Sequence, residues 1–292
     1  MDKVKELNTR ENIKIVTSNE FIMALGLENL SLKARKLLYI VIAQCKKNDK
    51  NFFMYEVSVK KLSEMLGITR QAIYAESYRI TYELLHAILR VKTKGEKSYE
   101  QYTLFSKCSY QEREGIFKVK LNPDMTEFLL ELNKEFTQPF LNDFLKMRSI
   151  YTMEIWHLMQ REMNSKKPGL TNEIVFNLGL DELRAVTGTQ NKLNQLCEFK
   201  SNCLDKAIQE IKEQCGVVVT YKNIKEGKKV TGFTFTAVST FHVDEKEIDS
   251  GVKTRTRMGV LKMQNKVRKL SKDEQEEYDK LVENSEQLCL AL

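Results

Sequence analysis

Apolar residues in this sequence recur at two periods, and the switch between the periods happens in the same order twice. In "SLKARKLLYIVIAQC" (31–45) and "RSIYTMEIWHLMQREM" (148–163) they return every three to four residues, which predicts a helix with a buried face. Each is followed by a strand end that turns into a short helix closed by glycine, "VSVKKLSEMLG" ending at Gly67 and "FNLGLDELRAVTG" ending at Gly188. A long amphipathic helix is expected next, over 68–91 in the first case and 189–215 in the second. Alternating runs around charged turns, "YTLFSKCSYQEREGIFKVKL" and "GVVVTYKNIKEGKKVTGFTFTAV", then predict two β-hairpins. Helix, strand, helix, turn, helix and hairpin is the plan of a winged helix. The expected fold class is therefore α+β, mainly helical, with two tandem winged-helix domains.

Pro139 interrupts the helical pattern of "PDMTEFLLELNKEFTQPFLNDFLKM" and marks the expected junction. The division reads as an N-terminal extension (1–18), a first domain (19–139), a second domain (140–242) and a charged tail (243–292). From Lys253 to Lys269 the tail has seven basic residues and no acidic one, then turns acidic in "KDEQEEYDKLVEN". Its composition fits a solvated, partly ordered extension.

With 292 residues, 42% apolar and 30% charged, the chain has the size and balance of a soluble protein of about two domains. No apolar run approaches the roughly 18 residues of a membrane span, and "MDKVKELNTRENIKIV" lacks the apolar core of a secretory signal. A cytoplasmic protein is expected, with its six cysteines reduced. The histidines, His86, His157 and His242, stand singly, without a second histidine or a cysteine at metal-ligand spacing. There is no histidine pair for a rolling-circle nickase and no G-x-x-x-x-G-K-[ST] phosphate loop. No catalytic residue, cofactor or metal is expected, and the reading is of a protein that is not an enzyme. A net charge of +7 is compatible with a polyanionic partner without requiring one.

The expected helix over 189–215 carries the chemical signal. Advancing about 100° per residue gathers Leu193, Leu196, Cys197, Cys203, Leu204, Ala207, Ile208 and Ile211 on one side. Opposite stand Asn191, Gln195, Glu198, Asn202 and Gln209, flanked by Asn194 and Ser201, with Lys192 near the amino end. A solvent face usually carries Lys and Glu, as this helix does further on. Amides in its amino-terminal half suit the major groove, where Asn and Gln pair with adenine and Glu accepts from cytosine. An amide-rich solvent face is the alternative. Candidate base readers are Asn191, Lys192, Gln195, Glu198, Ser201 and Asn202. Candidate phosphate contacts are Lys222, Lys225, Lys228 and Lys229 around the second hairpin turn, together with Arg148, Lys166, Lys167 and Lys200. In the first domain, Thr69, Arg70 and Gln71 offer an auxiliary contact.

The strand "NFFMYEVSV" is apolar on both alternating faces, Phe52 and Met54 on one, Phe53, Tyr55 and Val57 on the other. One face belongs to the core. The second calls for a cover from the N-terminal segment, the other domain or a second chain, and Phe53 and Tyr55 are the candidate dimer contact.

Seven stretches between Asn19 and Val238 resemble iteron-binding plasmid replication initiators of the RepA, RepB and RepE type: "NLSLKARKLLYIVIAQ", "VSVKKLSEMLGI", "KVKLNPDMTEFLLEL", "KMRSIYTMEIWHLMQ", "LDELRAVTG", "EFKSNCLDKAIQEI" and "GKKVTGFTFT". The resemblance implies a carboxy-terminal domain that reads repeated origin sequences in double-stranded DNA and an amino-terminal one that adds contacts and holds a homodimer. It further implies monomers that bind direct repeats, dimers that repress their own promoter, and recruitment of the host replication initiator and replicative helicase. Ser201 and Asn202 stand where relatives usually carry a basic pair, which implies a different target sequence. A double winged-helix transcriptional regulator without a replication role is the alternative, and a module that binds only protein is a third.

Overall fold

The computed structural model describes residues 4–6, 13–46, 49–92, 98–132, 135–166, 173–239, 274–276 and 278–280. The chain divides into two compact units, Met1–Glu162 with Asp181–Ala207, and Met163–Leu180 with Ile208–Leu292.

The first unit contains strands β1 (Val4–Glu6), β2 (Thr17–Ser18), β3 (Met54–Ser58), β4 (Ile88–Lys92), β5 (Tyr99–Thr103), β6 (Phe105–Gln111), β7 (Ile116–Leu121) and β8 (Phe136–Thr137). Its helices are α1 (Asn19–Met23), α2 (Leu32–Ile42), α3 (Val59–Leu66), α4 (Arg70–Tyr74), α5 (Ser77–Leu85), α6 (Thr126–Leu129) and α7 (Leu141–Lys146). The long α8 (Ile150–Asn164) follows, and α9 (Leu180–Val186) and α10 (Leu196–Phe199) belong here too. A four-stranded sheet has the order β1-β3-β7-β6, and β2 pairs with β8 and β4 with β5.

Local chemistry sets the ends of these elements. The Ser31 hydroxyl caps α2 by accepting from the Ala34 N–H, and Ser58 does the same for α3 through Lys61. α3 then stops at Gly67, whose φ of +63° suits glycine. α2 is buried from Ala34 to Ile42, so it is a central core helix and not a surface one. That burial encloses Arg35, which ion-pairs with Glu154 of α8. Beside this pair, the Tyr39 hydroxyl and Thr17 Oγ1 each lie 3.2 Å from a ring nitrogen of His157. Burial holds the His157 imidazole down to about 3, and the Arg35 charge adds to the effect, so the ring is neutral.

Two expectations are corrected in this unit, and the N-terminal segment finds its place. The helix expected over 68–91 is two short helices and a strand. It breaks after Tyr74, where the Ser77 hydroxyl bonds the Tyr74 carbonyl, and from Ile88 the chain pairs with β5. Leu89 is buried while Ile88 and Arg90 are exposed, a period of two that sheet pairing selects over the helical continuation. Next, residues of the expected N-terminal extension are built into the unit: β1 pairs in parallel with β3, and Ile15 is fully buried with its N–H donating to the Pro139 carbonyl. Finally, Tyr55 is not an available dimer contact. It is fully buried, its hydroxyl lies 3.3 Å from Cys45 Sγ, and burial pushes the phenol pKa up. Phe52 is buried, Phe53 and Met54 are half-buried, and Glu56 reaches Lys118 on β7 at 3.1 Å. The strand therefore leaves no broad open apolar face.

The second unit holds β9 (Glu173–Gly179), β10 (Val217–Glu226) and β11 (Lys229–Ser239), an antiparallel sheet of order β10-β11-β9. Phe176 stacks on Phe235 with ring centroids 5.4 Å apart, and Phe233 and Leu178 are buried with them. Gly232 sits so close to β9 that a Cβ would meet the Leu178 carbonyl oxygen at 2.6 Å. α11 (Asp205–Cys215) runs to Gly216, whose φ is +61°. In chain order, α2, β3, α3, α4–α5 and the β6–β7 hairpin form one winged-helix plan, and α8, β9, α9, α10–α11 and the β10–β11 hairpin repeat it.

Candidate nucleic-acid interface

The segment that follows α9 differs from the sequence expectation and decides how the candidate readers are presented. The Thr187 hydroxyl turns back to the Leu183 carbonyl, and Gly188 takes φ +63°, so α9 ends there. A Cβ at Gly188 would lie 2.7 Å from Glu28 Cγ, so a side chain there would have to displace Glu28 as well as adopt the left-handed backbone. Residues 189–195 are then a loop, and the next helix starts at Leu196 with Gln195 as its N-cap residue. Asn191, Lys192 and Asn194 are thus exposed loop residues, and Leu193 leaves the expected apolar helix face to take φ +51°.

Arg184 accounts for this conformation. Its Nη1 donates to the carbonyls of Thr189 (3.0 Å) and Lys192 (3.2 Å), and its Nη2 to those of Leu193 (2.9 Å) and Asn194 (3.3 Å). The guanidinium carbon lies 4.7 Å from the centroid of the Phe199 ring. A planar group with five fixed donors can hold four carbonyls of one loop together, whereas an ammonium acts as a single point. Periodicity does not reveal this role, because Arg184 reads in sequence as one more polar residue of α9.

From Leu196 the helix proceeds through α10, a π turn over Lys200–Leu204 and α11. Its buried stripe is Phe199, Cys203, Ala207, Ile211 and Cys215, with Leu204 beside it. A strict four-residue repeat drifts by about 40° per step on an ideal α-helix. The wider π turn offsets that drift over the step from Phe199 to Cys203. Phe199 is therefore the anchor that the apolar-face reading lacked, while Cys197, placed on that face, is exposed. Glu198, Ser201 and Asn202 are exposed on the first two turns, as expected, and the Asn202 side-chain oxygen accepts from Lys206 at 3.1 Å. Lys200 is half-buried.

On the second hairpin, Lys222, Lys225, Lys228 and Lys229 are all exposed around Gly227, with Glu226 among them. A register shift between Ile224 and Lys225 bends the arm near its tip. Lys166 donates to the Val175 carbonyl at 3.0 Å and lies 5.9 Å from the Phe176 ring centre, so part of its donor capacity is spent within its own unit. Lys167 lies outside the described residues, as do His242 and nearly all of the charged tail. Arg148 is exposed. In the first unit, the Thr69 hydroxyl caps α4 by accepting from Ala72, leaving Arg70 and Gln71 exposed beside it. A row that sequence reasoning passed over also appears there: Tyr74, Tyr78 and Tyr82 are exposed and His86 stacks on Tyr82 with centroids 3.9 Å apart. Their spacing of four residues was visible in the sequence.

Among the described residues, no group of His, Cys, Asp and Glu is placed to hold a metal ion, and no helix is long and apolar enough to cross a membrane. The arrangement offers hydrogen-bonding side chains on a rigid loop and helix, and separately a lysine-rich arm. Residues 14–160 match the family described as "Initiator Replication protein, WH1", and residues 179–237 match "Initiator Rep protein, WH2". The fold is similar to that of a solved structure described as "Crystal structure of Pi initiator protein in complex with iteron DNA". That likeness has a TM-score of 0.68 at 20% sequence identity and covers 80% of this chain and 100% of the other. With both halves matched in the order of the doubled winged-helix plan, the chain belongs to the initiator Rep proteins, a family of replication initiators.

Proposed function

We propose that this chain initiates plasmid replication by binding direct repeats in double-stranded DNA at the origin. The observation that carries this reading is the exposed run Asn191, Lys192, Asn194, Gln195, Glu198, Ser201 and Asn202, held on a fixed loop and the first turns of the helix after it. Asn and Gln match the N6/N7 edge of adenine, and Glu198 accepts from the N4 amine of cytosine. The hairpin lysines supply sequence-independent contacts to phosphate, with Arg148, Arg70 and Gln71 as further positions. A chain built this way acts by binding and not by catalysis. Monomers occupy the repeats and open the adjacent A·T-rich duplex, after which the host initiator and replicative helicase enter. A homodimer represses the promoter of its own gene through a contact other than Tyr55.

The deciding experiment is a footprint of the purified protein on the DNA flanking its gene. Protection of several direct repeats beside an A·T-rich stretch is expected. Protection confined to one inverted repeat assigns a transcriptional regulator instead, and the absence of duplex binding at any salt concentration refutes the reading.

A further inference from the structure

We propose that Arg184 is a positioning residue for sequence recognition, and that the loop it holds, residues 189–195, contacts bases in its own right alongside the helix. This inference rests on the DNA-reading function above and names the element that gives it specificity.

The loop is polar and exposed at Gln190, Asn191, Lys192, Asn194 and Gln195. A segment of that composition has little apolar surface to bury and would ordinarily sample many conformations. Here several contacts hold it in one conformation. Four of its carbonyls accept from one guanidinium, while the side chains of two of those residues, Lys192 and Asn194, stay exposed. Its first residue, Thr189, is fully buried, donates its N–H to the Arg184 carbonyl at 2.9 Å and lies 2.9 Å through its hydroxyl from that of Thr187. Leu193 accepts a left-handed backbone, which a bulky residue adopts only when its surroundings over-determine it. The guanidinium is fixed in turn by Phe199, the first buried residue of the following helix. One side chain thus ties the loop to both helices that flank it. A reader loop ordered in advance does not spend binding free energy on ordering, and a fixed presentation is what allows amides to discriminate bases.

The test uses the full chain and, as probe, the duplex that the parent protein selects from a random library, beside a scrambled duplex of equal length. Arg184→Lys keeps the charge but cannot bridge four carbonyls, and Arg184→Met removes both. Either is expected to lower affinity for the selected duplex about ten- to a hundredfold, the size of one or two lost base contacts, and to leave scrambled-duplex binding within about twofold. Amide hydrogen exchange should accelerate over 190–195 with protection of α11 unchanged, which a global loss of structure would not give. Asn194→Ala changes an exposed side chain with no effect on the clamp and should by itself narrow the selected-to-scrambled ratio. Folded Arg184 variants that keep the parental ratio overturn the positioning role, and an Asn194→Ala ratio equal to the parent's overturns base contact by the loop. A parent protein that selects no duplex overturns instead the underlying assignment of DNA reading.

Discussion

The hairpin arm of the second unit gives the prediction that can be worked most directly from the structure. Lys225, Lys228 and Lys229 are exposed around Gly227, and the register brings Glu226 opposite Lys229. Because Glu226 offsets part of the local charge, the three lysines together should neutralise about two or three phosphates if the arm contacts DNA as proposed. Each phosphate contributes about −0.9 to the slope of log K against log salt, so replacing all three with alanine should flatten the slope by about 1.8 to 2.7. Over a fourfold change in salt, from 0.1 to 0.4 M, the parent should lose about ten- to fortyfold more affinity than the variant does. Fluorescence anisotropy titrations at five salt concentrations measure this. The ratio of selected to scrambled affinity should stay constant, because phosphates carry no sequence information. A slope unchanged within error would remove the arm from the interface. A flattened slope accompanied by a changed sequence preference would show that the arm reads bases, contrary to the reasoning.

Three further outcomes are expected. Asn202→Ala, or Glu198→Ala, should weaken binding to the selected duplex by about 1–3 kcal/mol while leaving nonspecific binding intact, and parental affinity in both variants would reassign this helix face to solvent. His157 is held down to about 3 in the folded chain, against about 6.5 in an unfolded one, so only the unfolded state takes up its proton in that window and stability falls as pH drops below about 6.5. From pH 7 to 5 that single group should cost about 2 kcal/mol, measurable as the excess loss of the parent over His157→Gln in denaturant titrations; parallel curves would contradict it. Gly232→Ala drives a Cβ against a backbone carbonyl 2.6 Å away, whereas Gly227→Ala meets nothing within 4 Å and has only its φ of +61° to oppose. The first should lower the thermal midpoint well beyond the second, which is expected to cost about 1 kcal/mol, and equal shifts would refute the close approach of β9 and β11.

How much of this was legible in the sequence depends on the range of the interactions involved. Hydrophobic period and capping residues are local, and they predicted the two short helices closed by Gly67 and Gly188, the hairpins ending in charged turns, and the exposed Glu198, Ser201 and Asn202. They also predicted the order of helix, strand, helix and hairpin that the chain shows twice. The failures share a different cause. Ile88–Lys92 is a strand because β5 lies beside it, and Tyr55 is core because Cys45 and its neighbours close over it. Neither partner can be inferred from a window around the residue itself.

The candidate site shows the same division at finer scale. The sequence by itself determined which residue types are available, an amide-rich stretch ahead of a lysine-rich hairpin, because composition needs no coordinates. It also determined that α9 must stop near Gly188, since few other residues adopt that backbone at low cost. Only the tertiary structure decided that Asn191, Lys192 and Asn194 stand on a loop and not on a helix. Helical periodicity measures the spacing of apolar residues, and Leu193 satisfies that spacing without taking part in the helix. The conformation it adopts is set by one guanidinium that reaches from the previous helix to four carbonyls, and such a contact leaves no period in the sequence for a pattern to detect.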